Sequence, residues 1–247
     1  MIAEQRLAHI LSEVEEKGTV TVPDLARDLG ISKSTVRRDL EKLDSAKKLT
    51  KVHGGATRAA DVSVPADRAL AERAELNAGD KQRIAAFAAT LVQAGDFVYI
   101  DAGTSTQELV ERLEEREATY VTDSPTHAQR LVARGMRAVL IGGELKGVTG
   151  ALVGPDALDA LGRYHFDIGF WGANGVTAEH GFTTPDRSEA LVKRVSIENA
   201  ERRYVLVDPS KFDQVAAVRF AAFEDAAVIT TEVPPAFESF GNVVAVG

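Results

Sequence analysis

Ser32-Lys33-Ser34-Thr35-Val36-Arg37-Arg38-Asp39-Leu40 combines a hydroxyl-rich helix start, an apolar stripe and two adjacent arginines. Val36, Leu40 and Leu43 stand at i, i+4 and i+7 and share one face, while Ser34, Arg38 and Glu41 point away from it, with Arg37 and Lys42 on the flanks. Ser32 or Ser34 can accept a hydrogen bond from the free N–H groups of the first turn. Such a helix packs on one side and offers cations and hydroxyls on the other, as a helix lying in a nucleic-acid groove requires. A solvated basic face would have the same composition, so the neighbouring segments decide between the two.

Upstream, Leu7, Ile10, Leu11 and Val14 repeat with helical spacing before Gly18, and Val22, Leu25, Ala26 and Leu29 repeat again before Gly30. Thr21 with Asp24 three residues on resembles a capping box, and Pro23 is tolerated in a first turn whose N–H groups are spare. Two helices therefore precede the arginine helix, joined to it by a tight Gly30-Ile31 turn. Downstream, the segment from Leu49 to Ala56 alternates apolar and polar residues and contains the pair Gly54-Gly55, which permits positive φ. Three helices and a β wing are expected.

Charge points the same way once it is counted by segment. Between Ser32 and Arg58 eight basic residues face three acidic ones, a local excess of five, whereas the whole chain carries −8, so the remainder carries −13. Phosphate neutralisation needs a local cationic patch, not a basic average. The motif Thr35-Val36-Arg37-Arg38-Asp39-Leu40, followed by Val52-His53-Gly54-Gly55-Ala56, resembles the DeoR-type winged helix-turn-helix. On this reading Ser34, Thr35, Arg37 and Arg38 enter or border the major groove, and Lys51 and His53 on the wing touch the adjacent backbone.

At 247 residues and 45% hydrophobic content the chain is long enough for a second core. It has no cysteine, which excludes a disulfide framework, a cysteine-based metal site and a thiol nucleophile. Five scattered histidines show no metal-ligand spacing. The N-terminus lacks the apolar region of a signal peptide, and no apolar run approaches membrane-spanning length, so a soluble cytoplasmic protein is expected.

Residues 1–58 read as the winged helix-turn-helix, 59–80 as a linker with some helix, and 81–247 as the larger domain. There, expected helices over 81–93, 105–116, 125–133 and 187–200 alternate with expected strands over 97–101, 119–122, 138–141, 167–171, 204–208 and 226–229. This order predicts an α/β domain with a mostly parallel sheet covered on both faces, whose ligands sit beyond the strand C-termini.

Asp101-Ala102-Gly103-Thr104-Ser105-Thr106 follows the first apolar strand and opens a helix, joining a glycine, three hydroxyls and free backbone N–H groups into the parts of a phosphate cradle. A plain helix cap would use the same residues. The loop is neither GxGxxG nor a Walker sequence, so no nucleotide cofactor is expected. Asn174 and Asp101 are candidates for binding sugar hydroxyls, with Asp101 alternatively holding the loop; Lys193 or Lys211 could neutralise a phosphate.

The segment from about Lys81 to Gly247 is similar to the DeoR-type sensor domain through 101–106, Gly142-Gly143, Gly172-Ala173-Asn174-Gly175, 181–185 and 208–211. The resemblance implies a fold similar to ribose-5-phosphate isomerase and the CoA-transferases. It further implies a repressor of carbohydrate genes, released from operator DNA by a phosphorylated sugar or related metabolite. An isomerase-like enzyme is the rival reading, but its acidic loop is replaced here by Gly172-Ala173-Asn174-Gly175-Val176, and an amide cannot serve as the base, although Glu189 remains as a carboxylate. A DNA-bound oligomer that senses nothing is the other. The expected partners are operator DNA, the effector and a second copy of the chain, with no catalytic residue and no metal.

Overall fold

The computed structural model describes residues 3–17, 19–45, 48–52, 55–58 and 70–247. The chain divides into two compact units, Met1–Ser63 and Val64–Gly247.

The first unit runs α1 (Ala3–Lys17), β1 (Thr19–Thr21), α2 (Val22–Leu29), α3 (Lys33–Ser45), β2 (Leu49–Val52) and β3 (Gly55–Arg58), with the strands in the antiparallel order β1-β3-β2. Thr21 caps α2 as its spacing predicts: its hydroxyl accepts from the Asp24 N–H at 3.2 Å and lies 2.6 Å from the Asp24 carboxylate. Gly30 ends that helix at φ +63°, in the left-handed region where glycine carries no Cβ penalty. Ile10, Val14, Val20, Val22, Leu25, Val36, Leu40, Leu43, Leu49 and Ala56 form one small core. Gly55 serves a purpose other than positive φ. A Cβ there would meet the Val20 carbonyl oxygen at 2.0 Å, so β1 can approach β3 only because residue 55 has no side chain. Gly54 and His53 lie outside the described residues.

The second unit begins within the stretch expected as linker. There α4 (Leu70–Glu75) and α5 (Ala78–Ala89) precede β4 (Phe97–Ile100), α6 (Thr104–Arg112), β5 (Thr119–Thr122), α7 (Pro125–Ala133) and β6 (Arg137–Leu140). A small hairpin of β7 (Glu144–Leu145) and β8 (Leu152–Val153) leads to α8 (Pro155–Leu161) and β9 (Phe166–Gly172). The rest is β10 (Gly175–Thr177), β11 (Gly181–Thr184), α9 (Arg187–Glu198), β12 (Ala200–Leu206), β13 (Val218–Ala221), β14 (Ala227–Thr230) and β15 (Val243–Ala245).

Seven strands form one parallel sheet in the order β15-β14-β12-β9-β4-β5-β6. Alternating side chains separate its faces. Val98, Ile100, Tyr120, Ile168 and Phe170 belong to the core that holds residues of α5, α6 and α7, while Tyr99, Val121 and Trp171 belong to the core that holds residues of α8 and α9. The latter face also carries an antiparallel sheet, β10-β11-β13, over segments outside the expected strands. Its Thr183 hydroxyl bonds the Gly175 carbonyl and the Ala216 N–H, so a polar residue is buried there without loss. β12 starts at Ala200, not at Tyr204, because its parallel ladder with β9 begins at the Ala200–Phe166 pair, and Arg202 within it reaches Asp96 at 2.7 Å.

The chain leaves β4 for β5 and β6 on one side, then returns to the other side of β4 through β9, β12, β14 and β15. The order therefore reverses between β4 and β9, where connecting loops part and leave a crevice beyond the strand ends.

Candidate functional site

In the first unit, α3 buries Val36, Leu40 and Leu43 at 0%, 0% and 4% exposure and leaves Ser34, Arg37, Arg38 and Lys42 exposed. Ser32 is the residue that caps the helix. Its Oγ accepts from the Thr35 N–H at 3.2 Å and lies 2.8 Å from Ser34 Oγ and 2.9 Å from Thr35 Oγ1. Thr35 is half-buried and its hydroxyl is engaged with Ser32. The exposed part of the helix thus carries two guanidinium groups and the Ser34 hydroxyl at its start. Lys51 lies on β2 with its side chain outside the described set, and His53 falls outside the described residues.

The second unit has a pocket at the β4/β9 reversal. Ala102, Gly103, Thr104 and Ser105 line it from the end of β4 and the start of α6, Gly172 to Asn174 from β9, and Leu206 to Asp208 with Lys211 from β12 and its following turn. Arg73, Leu76 and Lys81 close it from α4 and α5, and Thr149, Glu189 and Lys193 complete the wall. Gly103 starts α6 without a side-chain cap, which leaves the positive end of the helix pointing at the cavity. The lining thus joins the first turn of α6 with cationic residues from other elements, a combination suited to a phosphate group.

Of the residues expected from the sequence, Gly103, Thr104, Ser105, Asn174, Lys193 and Lys211 line this pocket. Asp101 and Thr106 do not. Asp101 is 1% exposed, and its Oδ2 accepts from the Gly172 N–H at 3.0 Å and pairs with the Lys193 ammonium, so it holds the two loops and is not available to a sugar hydroxyl. Thr106 is fully buried and donates its hydroxyl to the Gly103 carbonyl at 3.0 Å. Lys193 needs a similar correction. Its ammonium faces both Asp101 and the Gly172 carbonyl, so its charge is already compensated. Lys211 makes no ion pair among the described residues.

Behind the cradle lies a buried polar floor. Asp123 accepts from the Ala102 N–H at 2.7 Å, and burial, reinforced by the neighbouring Asp101, pushes its carboxyl well above the ordinary carboxylate range. Burial also raises Asp101, against the opposing pull of Lys193. His127, 2% exposed, is lowered to about 4 by burial and so stays neutral beneath the Gly103 backbone.

Lys81, Arg73 and Glu189 were not assigned to the pocket by the sequence reading. Lys81 is 4% exposed, burial lowers its ammonium, and it donates to the Arg73 carbonyl. Glu189 accepts the Thr149 hydroxyl at 2.6 Å and lies 3.2 Å from Lys146. Asn174 takes the Thr184 hydroxyl at 3.2 Å on its amide oxygen, which leaves its amide nitrogen for other partners. Among the described residues no group of three His, Asp or Glu could hold a metal ion, and no helix is long and apolar enough to cross a membrane.

A DeoR-like helix-turn-helix domain matches residues 6–62, and a DeoR C terminal sensor domain matches residues 76–233. The chain is 38% identical over 233 residues to the uncharacterized HTH-type transcriptional regulator FruR of Bacillus subtilis, spanning 94% of this chain and 92% of that one. It is 33% identical over 218 residues to the lactose phosphotransferase system repressor of Lactococcus lactis, spanning 87% and 85%. Among solved structures, ribose 5-phosphate isomerase A from Methanocaldococcus jannaschii is similar over 55% of each chain, at 20% identity and a TM-score of 0.40.

Proposed function

Because the chain belongs to the DeoR family of helix-turn-helix transcriptional regulators, we propose that it represses carbohydrate-metabolism genes and leaves its operator when a phosphorylated sugar or related metabolite fills the pocket at the β4/β9 reversal. The observation that carries this reading is the division of α3, which buries one apolar stripe and presents Arg37 and Arg38 outward. Ser34, Arg37 and Arg38 read or border the major groove, with Thr35 beside them and Lys51 and His53 on the neighbouring backbone. Gly103, Thr104, Ser105, Lys81 and Lys211 take the phosphate, while Asn174 and Glu189 are placed to read hydroxyls. The first 58 residues act as the reading head, and the body beyond the connection senses and pairs. A single head covers little DNA, so two copies joined through their second units engage two half-sites in the cytoplasm.

Catalysis finds less support. The loop from Gly172 to Val176 offers an amide and no carboxylate to serve as a base, and Glu189 in the wall is held by Thr149 and Lys146. The test is to select a duplex from a randomised pool with the full chain, measure its affinity by anisotropy, and add sugar phosphates. Release by at least one sugar phosphate, accompanied by a thermal shift, is expected. Failure to retain any duplex at low salt sinks the regulator reading, and retention without any thermal shift favours a DNA-bound oligomer that senses nothing.

A further inference from the structure

Two residues that wall the pocket, Arg73 and Leu76, lie on neither the sheet nor its crossover helices. Arg73 sits in the last turn of α4 and Leu76 directly after it, on the stretch by which the chain arrives from the first unit. Side-chain hydrogen bonds tie this stretch to the pocket rim. The Lys81 ammonium donates to the Arg73 carbonyl, and Asn77 Nδ2 donates to Asp208 Oδ1 at 2.7 Å and to Ser210 Oγ at 3.2 Å. Asn77 turns the corner between α4 and α5 at φ +53°.

The cavity these residues close measures about 50 Å³, room for a few water molecules. Pockets for metabolite-sized ligands run from about 300 Å³ upward. A sugar phosphate therefore fits only if one wall withdraws. The loops after β4 and β9 are clamped by the buried Asp101–Lys193 pair and by the Gly172 N–H bond to Asp101. The α4 wall also packs on α6, but its ties to the rim through Lys81 and Asn77 are polar bonds, and an arriving phosphate can replace the one at Lys81, since an anion is a stronger partner for an ammonium than a neutral carbonyl. Leu76, 44% exposed at the rim, becomes useful once a carbon skeleton lies beneath it.

We propose that Arg73 and Leu76 are ligand-contacting residues, and that the segment from α4 to Asn77 is the movable wall of the sensor site. The ligand is then read by the same stretch of chain that leads to the DNA-binding unit, and Arg73 exchanges its present interaction for the ligand's phosphate as the wall moves. Differential affinity for the open and closed wall is what couples binding to release. This inference rests on the sensor reading above.

The absence of cysteine makes the test direct. Glu75→Cys, at an exposed position of α4, carries the only thiol and takes an environment-sensitive fluorophore. Full-length labelled protein is titrated with fructose 1-phosphate, fructose 6-phosphate and glycerol 3-phosphate, while thermal shift of unlabelled protein reports binding separately. Each probe that raises Tm is expected to change the label's emission with the same midpoint, and Arg73→Gln is expected to raise that midpoint at least fivefold. A probe that raises Tm and releases DNA with constant emission, or an Arg73→Gln effect below fivefold, overturns the inference and leaves the sensor reading intact. The emission readout decides the wall's movement even where Arg73→Gln folds poorly. If none of the probes raises Tm, the sensor reading fails and the inference fails with it.

Discussion

Arg6 grips Asp39 with Nε 2.5 Å from Oδ2 and Nη2 3.1 Å from Oδ1, so that α1 holds the helix on which Arg37 and Arg38 are displayed. Asp39 follows two exposed arginines in sequence yet is 2% exposed, because one further step around the helix turns it inward. A forked pair of this kind fixes orientation as well as distance. Asp39→Asn is therefore expected to lower the Tm of the first unit and to weaken operator binding several-fold, and Arg6→Lys, which lacks the fork, to do likewise. Circular dichroism melts and anisotropy titrations measure both. Unchanged melting and affinity in both variants would show that the pair does not orient α3.

Arg37 and Arg38 separate by the kind of contact each makes. An arginine that pairs bidentately with guanine should cost about 1–3 kcal/mol on operator DNA when replaced by alanine, and should relax specificity at one position. An arginine that only meets phosphate should weaken operator and scrambled duplex alike and reduce the salt slope by about one. At least one of the two is expected to behave in the first way. If Arg37→Ala and Arg38→Ala both leave the ratio of operator to scrambled affinity unchanged, α3 is not the reading element.

The reading head was legible in the sequence because its signals are local. Val36, Leu40 and Leu43 fall within two turns of one helix, and the Thr21 and Asp24 cap spans three residues. The parallel sheet was legible where strands are continuous apolar runs, as at Phe97–Ile100. It is less legible where a polar residue within a strand meets a distant partner: Arg202 reaches Asp96, and the buried hydroxyl of Thr183 takes the Ala216 N–H, so the start of β12 and the whole of β11 fall outside the expected strands. The pocket divides in the same way. Gly103, Thr104 and Ser105 follow a strand directly and could be assigned, whereas Arg73 and Lys81 reach the site from elements before the first strand of the sheet, which no local pattern signals. Of the two roles open to Asp101, binding a hydroxyl and holding the loop, its bonds to the Gly172 N–H and to Lys193, 92 residues away, favour the second.

That buried pair should dominate the stability of the cradle. Lys193→Met leaves Asp101 without its counter-ion at 1% exposure, and breaking one side of such a pair costs about 3–5 kcal/mol. Lys193→Met combined with Asp101→Asn removes the stranded charge and should recover part of the loss, since replacing both members of a buried pair is far less costly than removing one. Urea unfolding of the full chain, followed through the second unit's Trp171, measures the cycle. Additive losses in the double variant would mean that the two side chains are not energetically coupled.

His127 gives the fold a dependence on acid with a definite direction. Its folded value of about 4 lies below the ordinary 6.5, with burial as the main cause and Arg130 adding to it. The unfolded chain therefore binds the proton first. Above pH 6.5 the residue is neutral in both states and contributes no penalty; as pH falls from 6.5 towards 4 the unfolded state gains a proton that the folded state refuses, and stability drops. The full loss is roughly 3 kcal/mol for a difference of this size. His127→Gln carries no titrating group. Its urea-derived stability should decline less steeply than that of the wild type between pH 6.5 and 4.5, whereas parallel curves would remove His127 as the source of the acid sensitivity.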